Sequence, residues 1–203
     1  FCSMHASESI VAVGAGPSSG PADAIASFTP KLEAWEASAA ASGRPIGNID
    51  DAADSSHLRL LMQRMNKDGW ASETQDGSAP APLMGKRTTA DGGRMHLSFS
   101  PFSQIVADDH FAILFQFTPR GALETDVEMI WLVDGRATEA EVDIEKMIWG
   151  YHATTTQDKV ITENNQAGIM SSRYRPGRYS EQEGSVLNFQ KWYLNQFGLA
   201  RAE

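Results

Sequence analysis

Chemistry in this chain centres on one acid and the amides behind it. Thr154-Thr155-Thr156-Gln157-Asp158 leads into Glu163-Asn164-Asn165-Gln166-Ala167-Gly168. A carboxylate in such a setting can bind a metal or only face water along a helix. Five histidines accompany it, His5, His57, His96, His110 and His152, with a single cysteine, Cys2. One cysteine excludes an internal disulfide and fits a reducing compartment such as the cytoplasm.

The acid needs an element to hold it. Residues 154–168 read as a polar helix carrying Asp158 early and ending at Gly168, because glycine suits the left-handed terminal position. The segment through Pro176 and Gly177 reads as loop. Upstream, Thr138-x-x-Glu141 has capping-box spacing, and Val142, Ile144, Met147, Ile148 and Tyr151 form an apolar stripe. That helix is expected to continue or kink into the Asp158 segment. Ser180-x-x-Glu183 opens a last helix, with Val186, Phe189, Trp192, Tyr193 and Phe197 inward and Gly198 as its stop.

Between residues 93 and 133 the period is two. Met95, Leu97 and Phe99 alternate with polar residues, and two further runs carry Phe111 to Phe117 and Val127 to Val133. These predict three or four antiparallel strands joined at Asp108-Asp109 and Pro119-Arg120-Gly121. The latter two runs are apolar on both sides, so the sheet is expected to be covered on both faces. Residues 23–42 predict a helix through Ile25, Phe28, Leu32 and Trp35, which Pro30 starts or interrupts. Residues 43–54 read as a turn-rich connection, 57–65 as a short amphipathic helix, and 68–81 as a polar, mobile loop.

The whole is a chain of 203 residues, 41% hydrophobic and 21% charged, with formal net charge −9. Such a length buries roughly 70% of its unfolded surface, enough for one core. No basic cluster serves a nucleic acid, and no apolar run approaches the ~20 residues of a membrane span. The expectation is therefore one α+β domain over residues 1–203, an antiparallel sheet gripped by helices, with neither nucleic-acid nor membrane partners.

The order Thr-x-Gln-Asp, Glu-x-x-Gln-x-Gly, Tyr-x-Pro-Gly-x-Tyr-Ser resembles the C-terminal catalytic domain of Rieske non-haem iron oxygenase α subunits. Phe99-Ser100-Pro101-Phe102, Phe117-Thr118-Pro119, Trp131-Leu132-Val133 and Gln190-Lys191-Trp192-Tyr193-Leu194 are similar to further landmarks of that family, so the resemblance covers most of 95–197. It implies the helix-grip fold, of START and Bet v 1 type. It also implies a mononuclear Fe(II) held by two histidines and one carboxylate, with open positions for O₂ and substrate. By resemblance Asp158 is the carboxylate and His5 the second histidine of His-x4-His, which puts the first immediately before Phe1. The usual His-Pro is His5-Ala6 here.

A Rieske [2Fe–2S] cluster needs two cysteines and two histidines, so these residues cannot hold one. The cluster domain is expected to precede this fragment in a longer protein. The resemblance further implies electrons from a reductase, sometimes through a ferredoxin, and a homotrimer or α3β3 assembly. Aromatic ring hydroxylation, as in aromatic hydrocarbon catabolism, is the expected activity. The rival within the family is monooxygenation or demethylation of a quaternary amine of choline, betaine or carnitine type. A rival of another class is a metal-free helix-grip binder of an apolar ligand. Phe99, Phe115, Met129 and Trp131 are candidate pocket linings, with plain core packing as the alternative for each. His152 is placed as a group orienting Asp158 or a bound water, and Gln157, Asn164 and Asn165 as further pocket groups. His96 faces a cavity or the surface, and His110 a solvated hairpin turn.

Overall fold

A computed structural model describes residues 21–44, 46–51, 58–64, 70–99, 102–180 and 183–199. Helix α1 (Pro21–Ala41) precedes six strands: β1 (Gly47–Asp51), β2 (Leu58–Arg64), β3 (Gly93–Phe99), β4 (Ser103–Ala107), β5 (Ala112–Pro119) and β6 (Thr125–Leu132). Helices α2 (Ile144–Ile169) and α3 (Gly184–Gln196) follow. Each strand pairs antiparallel with its sequence neighbour, giving the order β1-β2-β3-β4-β5-β6. This is the expected α+β architecture, with two strands more than the alternation predicts.

Both added strands correct the sequence reading. Residues 58–64 form β2, not a helix, paired from Arg59↔Ser98 to Arg64↔Gly93. Leu58-Arg59-Leu60-Leu61-Met62 fits a period of two as well as one near four, and pairing with β3 decides between them. β1 lies in the expected turn, because Gly47–Asp51 is recruited by β2. Pro30 sits inside α1 and neither starts nor ends it.

The core lies between the sheet and α2. Val106, Phe111, Ile113, Phe115 and Met147 are buried together, with Phe117, Met129, Trp131 and Tyr151 packed around them. Register explains the grouping: Val106↔Ile113, Ile113↔Trp131 and Phe115↔Met129 put these side chains on one face. Coverage of the second face fails at β6, where Ile130 and Leu132 are exposed. Trp35 and Ala39 bury one side of α1, and the Trp35 ring lies where a Cβ on Gly93 would come within 2.9 Å of it. Buried Trp192 anchors α3, and Tyr193 meets Phe102 edge-on at 6.3 Å. Val186 and Phe197, expected inward, are exposed.

Residues 70–81 form a loop as expected, but a packed one. Ser72 and Thr74 are buried. The Thr74 hydroxyl donates to the Ser78 carbonyl at 2.8 Å, and Gly77 takes φ +76° beneath the Trp70 ring.

Candidate functional site

Helix α2 carries the candidate carboxylate. The Asp143 side chain caps its start by accepting from the Lys146 amide at 3.0 Å. The Thr138 capping box forms too, but around a separate 3-10 turn at Glu139–Glu141, just before the helix. From Ile144 the helix runs unbroken to Ile169 and ends at right-handed Met170, so Gly168 is an interior residue rather than the stop.

Residues spaced three and four apart share a helix face, and here that face is Met147, Tyr151, Thr155 and Asp158. Met147 enters the core. The Tyr151 ring lies 5.8 Å from Phe115 on β5, and the Thr155 hydroxyl is 3.5 Å from the Met129 sulfur on β6. Asp158 continues the stripe and is half-buried. Among the described residues, none donates to or pairs with its carboxylate, whereas Glu163 on the outer face pairs with Lys159 at 3.8 Å. A sheet-side carboxylate with free oxygens has the chemistry of a metal-ligating acid.

The imidazoles are not assembled with it. His5 and His57 lie outside the described residues. His152 is exposed, as are Gln157, Asn164 and Asn165. His110, expected in solvent, is buried at the β4–β5 turn, where its Nδ1–H donates to the Ala81 carbonyl at 2.8 Å. His96 pairs across the sheet with Val106, which puts it on the face that α2 covers. Among the described residues no three His, Cys, Asp or Glu side chains converge as a metal site. The acid therefore fits an iron site, and the described histidines do not complete one. Of the candidate linings, Phe115, Met129 and Trp131 face α2. Phe99 alternates with Ser98, the partner of Gln104 on the α2 face, and so lies on the other side.

Sequence reasoning passed over a polar cluster on the same face. Arg94 of β3 donates to the Tyr151 hydroxyl at 2.5 Å and forms an ion pair with Glu73. Burial pushes the Tyr151 phenol up, against the pull of Arg94, so it stays protonated near neutrality. Glu73 is held in turn by the loop: its amide donates to Asp108 at 3.4 Å, and Ser72 hydrogen-bonds the same carboxylate. The available signal was parity, since Arg94 alternates in step with His96.

The family model of the ring hydroxylating alpha subunit (catalytic domain) matches residues 32–198. A glycine betaine monooxygenase oxygenase subunit of Pseudomonas aeruginosa (strain UCBPP-PA14) is 35% identical over 184 residues, 87% of this chain and 40% of that protein. Its counterpart in P. aeruginosa PAO1 is 37% identical over 138 residues, 64% of this chain and 32% of that protein. A glycine betaine monooxygenase oxygenase subunit of Chromohalobacter salexigens is 38% identical over 130 residues, 62% and 29% respectively. The chain thus spans 40% or less of the length of these curated relatives.

Proposed function

The chain belongs to the ring-hydroxylating α subunit catalytic domain family, and on that premise we propose that it is the oxygen-activating part of a monooxygenase for a small quaternary amine of glycine betaine type. The observation that carries the substrate class is the shared name of three relatives at 35–38% identity. It favours the quaternary-amine branch over aromatic hydroxylation.

Residues 1–203 act in this reading as one catalytic unit, and Asp158 and His5 hold mononuclear iron. Fe(II), when bound, supplies the activation of O₂. The protein's own residues do the rest: Asp158 fixes an anionic oxygen on the sheet side of α2, and the apolar core of β5 and β6 excludes water from that side. In the overall reaction one oxygen atom enters an N-methyl C–H bond while the other leaves as water, using two electrons and two protons. The N-hydroxymethyl product then releases formaldehyde and a proton, leaving the tertiary amine dimethylglycine.

The electrons come from a reductase, directly or through a ferredoxin, by way of a [2Fe–2S] cluster that these residues, with one cysteine, do not ligate. Assembly as a homotrimer or α3β3 and a cytoplasmic location complete the proposal. No helix among the described residues is long and apolar enough to cross a membrane. The test is substrate-dependent NAD(P)H oxidation by the whole protein with its reductase. Glycine betaine should give stoichiometric formaldehyde and dimethylglycine. Turnover of an arene with none of glycine betaine would return the assignment to ring hydroxylation.

A further inference from the structure

We infer that Tyr151 is a positioning residue for Asp158, held in place by Arg94 and Glu73; this rests on the reading of Asp158 as an iron ligand. The two lie seven residues apart on one unbroken helix, a separation of only about 20° around the axis and about 10 Å along it. They therefore share the sheet-facing stripe.

Between them the helix is lightly fastened. Thr155 touches Met129 through a weak hydroxyl–sulfur contact, and His152, Thr156 and Gln157 are exposed. Strong polar fixation comes from the Tyr151 hydroxyl, which is tied to the Arg94 guanidinium. The same guanidinium nitrogen also pairs with Glu73, and the guanidinium centre lies 5.9 Å from the Tyr151 ring centroid.

Such a bond sets what apolar packing alone leaves loose, the rotation and axial register of the helix. Phe115 against a tyrosine ring tolerates small slides, whereas a charge-assisted hydrogen bond is directional. The Thr154 and Thr156 hydroxyls donate back to the Gly150 and His152 carbonyls at 2.9 and 2.7 Å, an arrangement that lets a helix bend. An external tie at Tyr151 fixes the turn that precedes these hydroxyls. The carboxylate seven residues on inherits its orientation.

The experiment is an anaerobic Fe(II) titration of the metal-depleted whole protein, with thermal melting of the iron-free form measured beside it. Tyr151→Phe should weaken Fe(II) binding by about tenfold, the lower end of losses seen when groups supporting a metal ligand are removed. Arg94→Met should do the same, and the double variant should lose no more than either alone, because one contact is at issue. Glu73→Gln, which removes the charge and keeps the shape, should fall between, and it serves as the readout where Arg94→Met does not fold. Lowered melting with unchanged Fe(II) affinity in Tyr151→Phe and Glu73→Gln would overturn the proposal, leaving the cluster a structural tie. Asp158→Ala separates the two claims. If it binds Fe(II) as tightly as the wild type, the ligand reading fails. If it loses Fe(II) while Tyr151→Phe does not, only the positioning role fails.

Discussion

Asp158 and Asp109 are both acids near the sheet, and their surroundings set opposite consequences for losing them. Asp158 is half-buried and unpartnered among the described residues, so its carboxylate contributes little to folding. Asp158→Ala should stay within roughly 0.5 kcal/mol of wild-type stability while abolishing oxygenation and retained iron. Metal analysis and chemical denaturation check the two halves. Asp109 is wholly buried, accepts from the Asp91 and Gly92 amides at 2.8 and 2.9 Å, and pairs with Arg87. Asp109→Asn keeps the shape but removes the buried one of the two carboxylates paired with Arg87, leaving Asp91 at 3.4 Å. Because Arg87 retains access to water, the cost should be about 2–3 kcal/mol, below that of breaking a fully buried pair. A urea midpoint lowered without change of slope would report it.

Two local devices decide how the elements around the site begin and turn. The loop before β3 closes on Gly77, whose φ of +76° and contact with Trp70 leave no room for a side chain: a Cβ would sit 2.5 Å from the indole. Gly77→Ala combines left-handed strain with overpacking and should cost about 2–4 kcal/mol, read as a fall in melting temperature. At the entrance to α2, Glu141 accepts from the Thr138 amide at 2.9 Å and from its hydroxyl at 2.8 Å. The amide bond, then the hydroxyl bond, holds the Glu141 carboxyl below its usual range. A lowered folded value means the proton binds the unfolded form more tightly. The cap is therefore present above about pH 4.5, the ordinary glutamate value, and is lost as pH falls through the lower folded value. Exchange protection of the Thr138 amide should fall over that acid window and not in Glu141→Gln, whose amide does not titrate.

For the whole molecule the informative feature is asymmetry. The α2 side of the sheet holds the core, the aromatic rings and the candidate acid, whereas Ile130 and Leu132 on the other side of β6 are exposed. The proposed oxygen chemistry needs electrons, and with Cys2 as its single cysteine the chain supplies too few thiolates for a cluster. The 203 residues, purified alone and given iron and sulfide, should show no visible absorption of a [2Fe–2S] centre. They should also fail to couple NAD(P)H oxidation to product when reductase is added.

Much of this was legible in the sequence because it depends on neighbours a few residues away. Alternation at Met95–Phe99 and Phe111–Phe117, the capping spacing at Thr138, and the stop at Gly198, which takes φ +64°, are local codes, whereas the last helix opens at Gly184 with Glu183, not Ser180, as its cap. The order of motifs around Asp158 likewise pointed to the family. What local residues do not encode is which side of an element is claimed by something distant. Leu58–Arg64 became a strand because β3 offered it hydrogen bonds, and His110 was drawn inside because Ala81 offered a carbonyl. Arg94 acquired a role only when the sheet carried it beneath Tyr151, 57 residues on. Those choices belong to tertiary structure, because buried polar groups and strand edges must find partners wherever in the chain these lie.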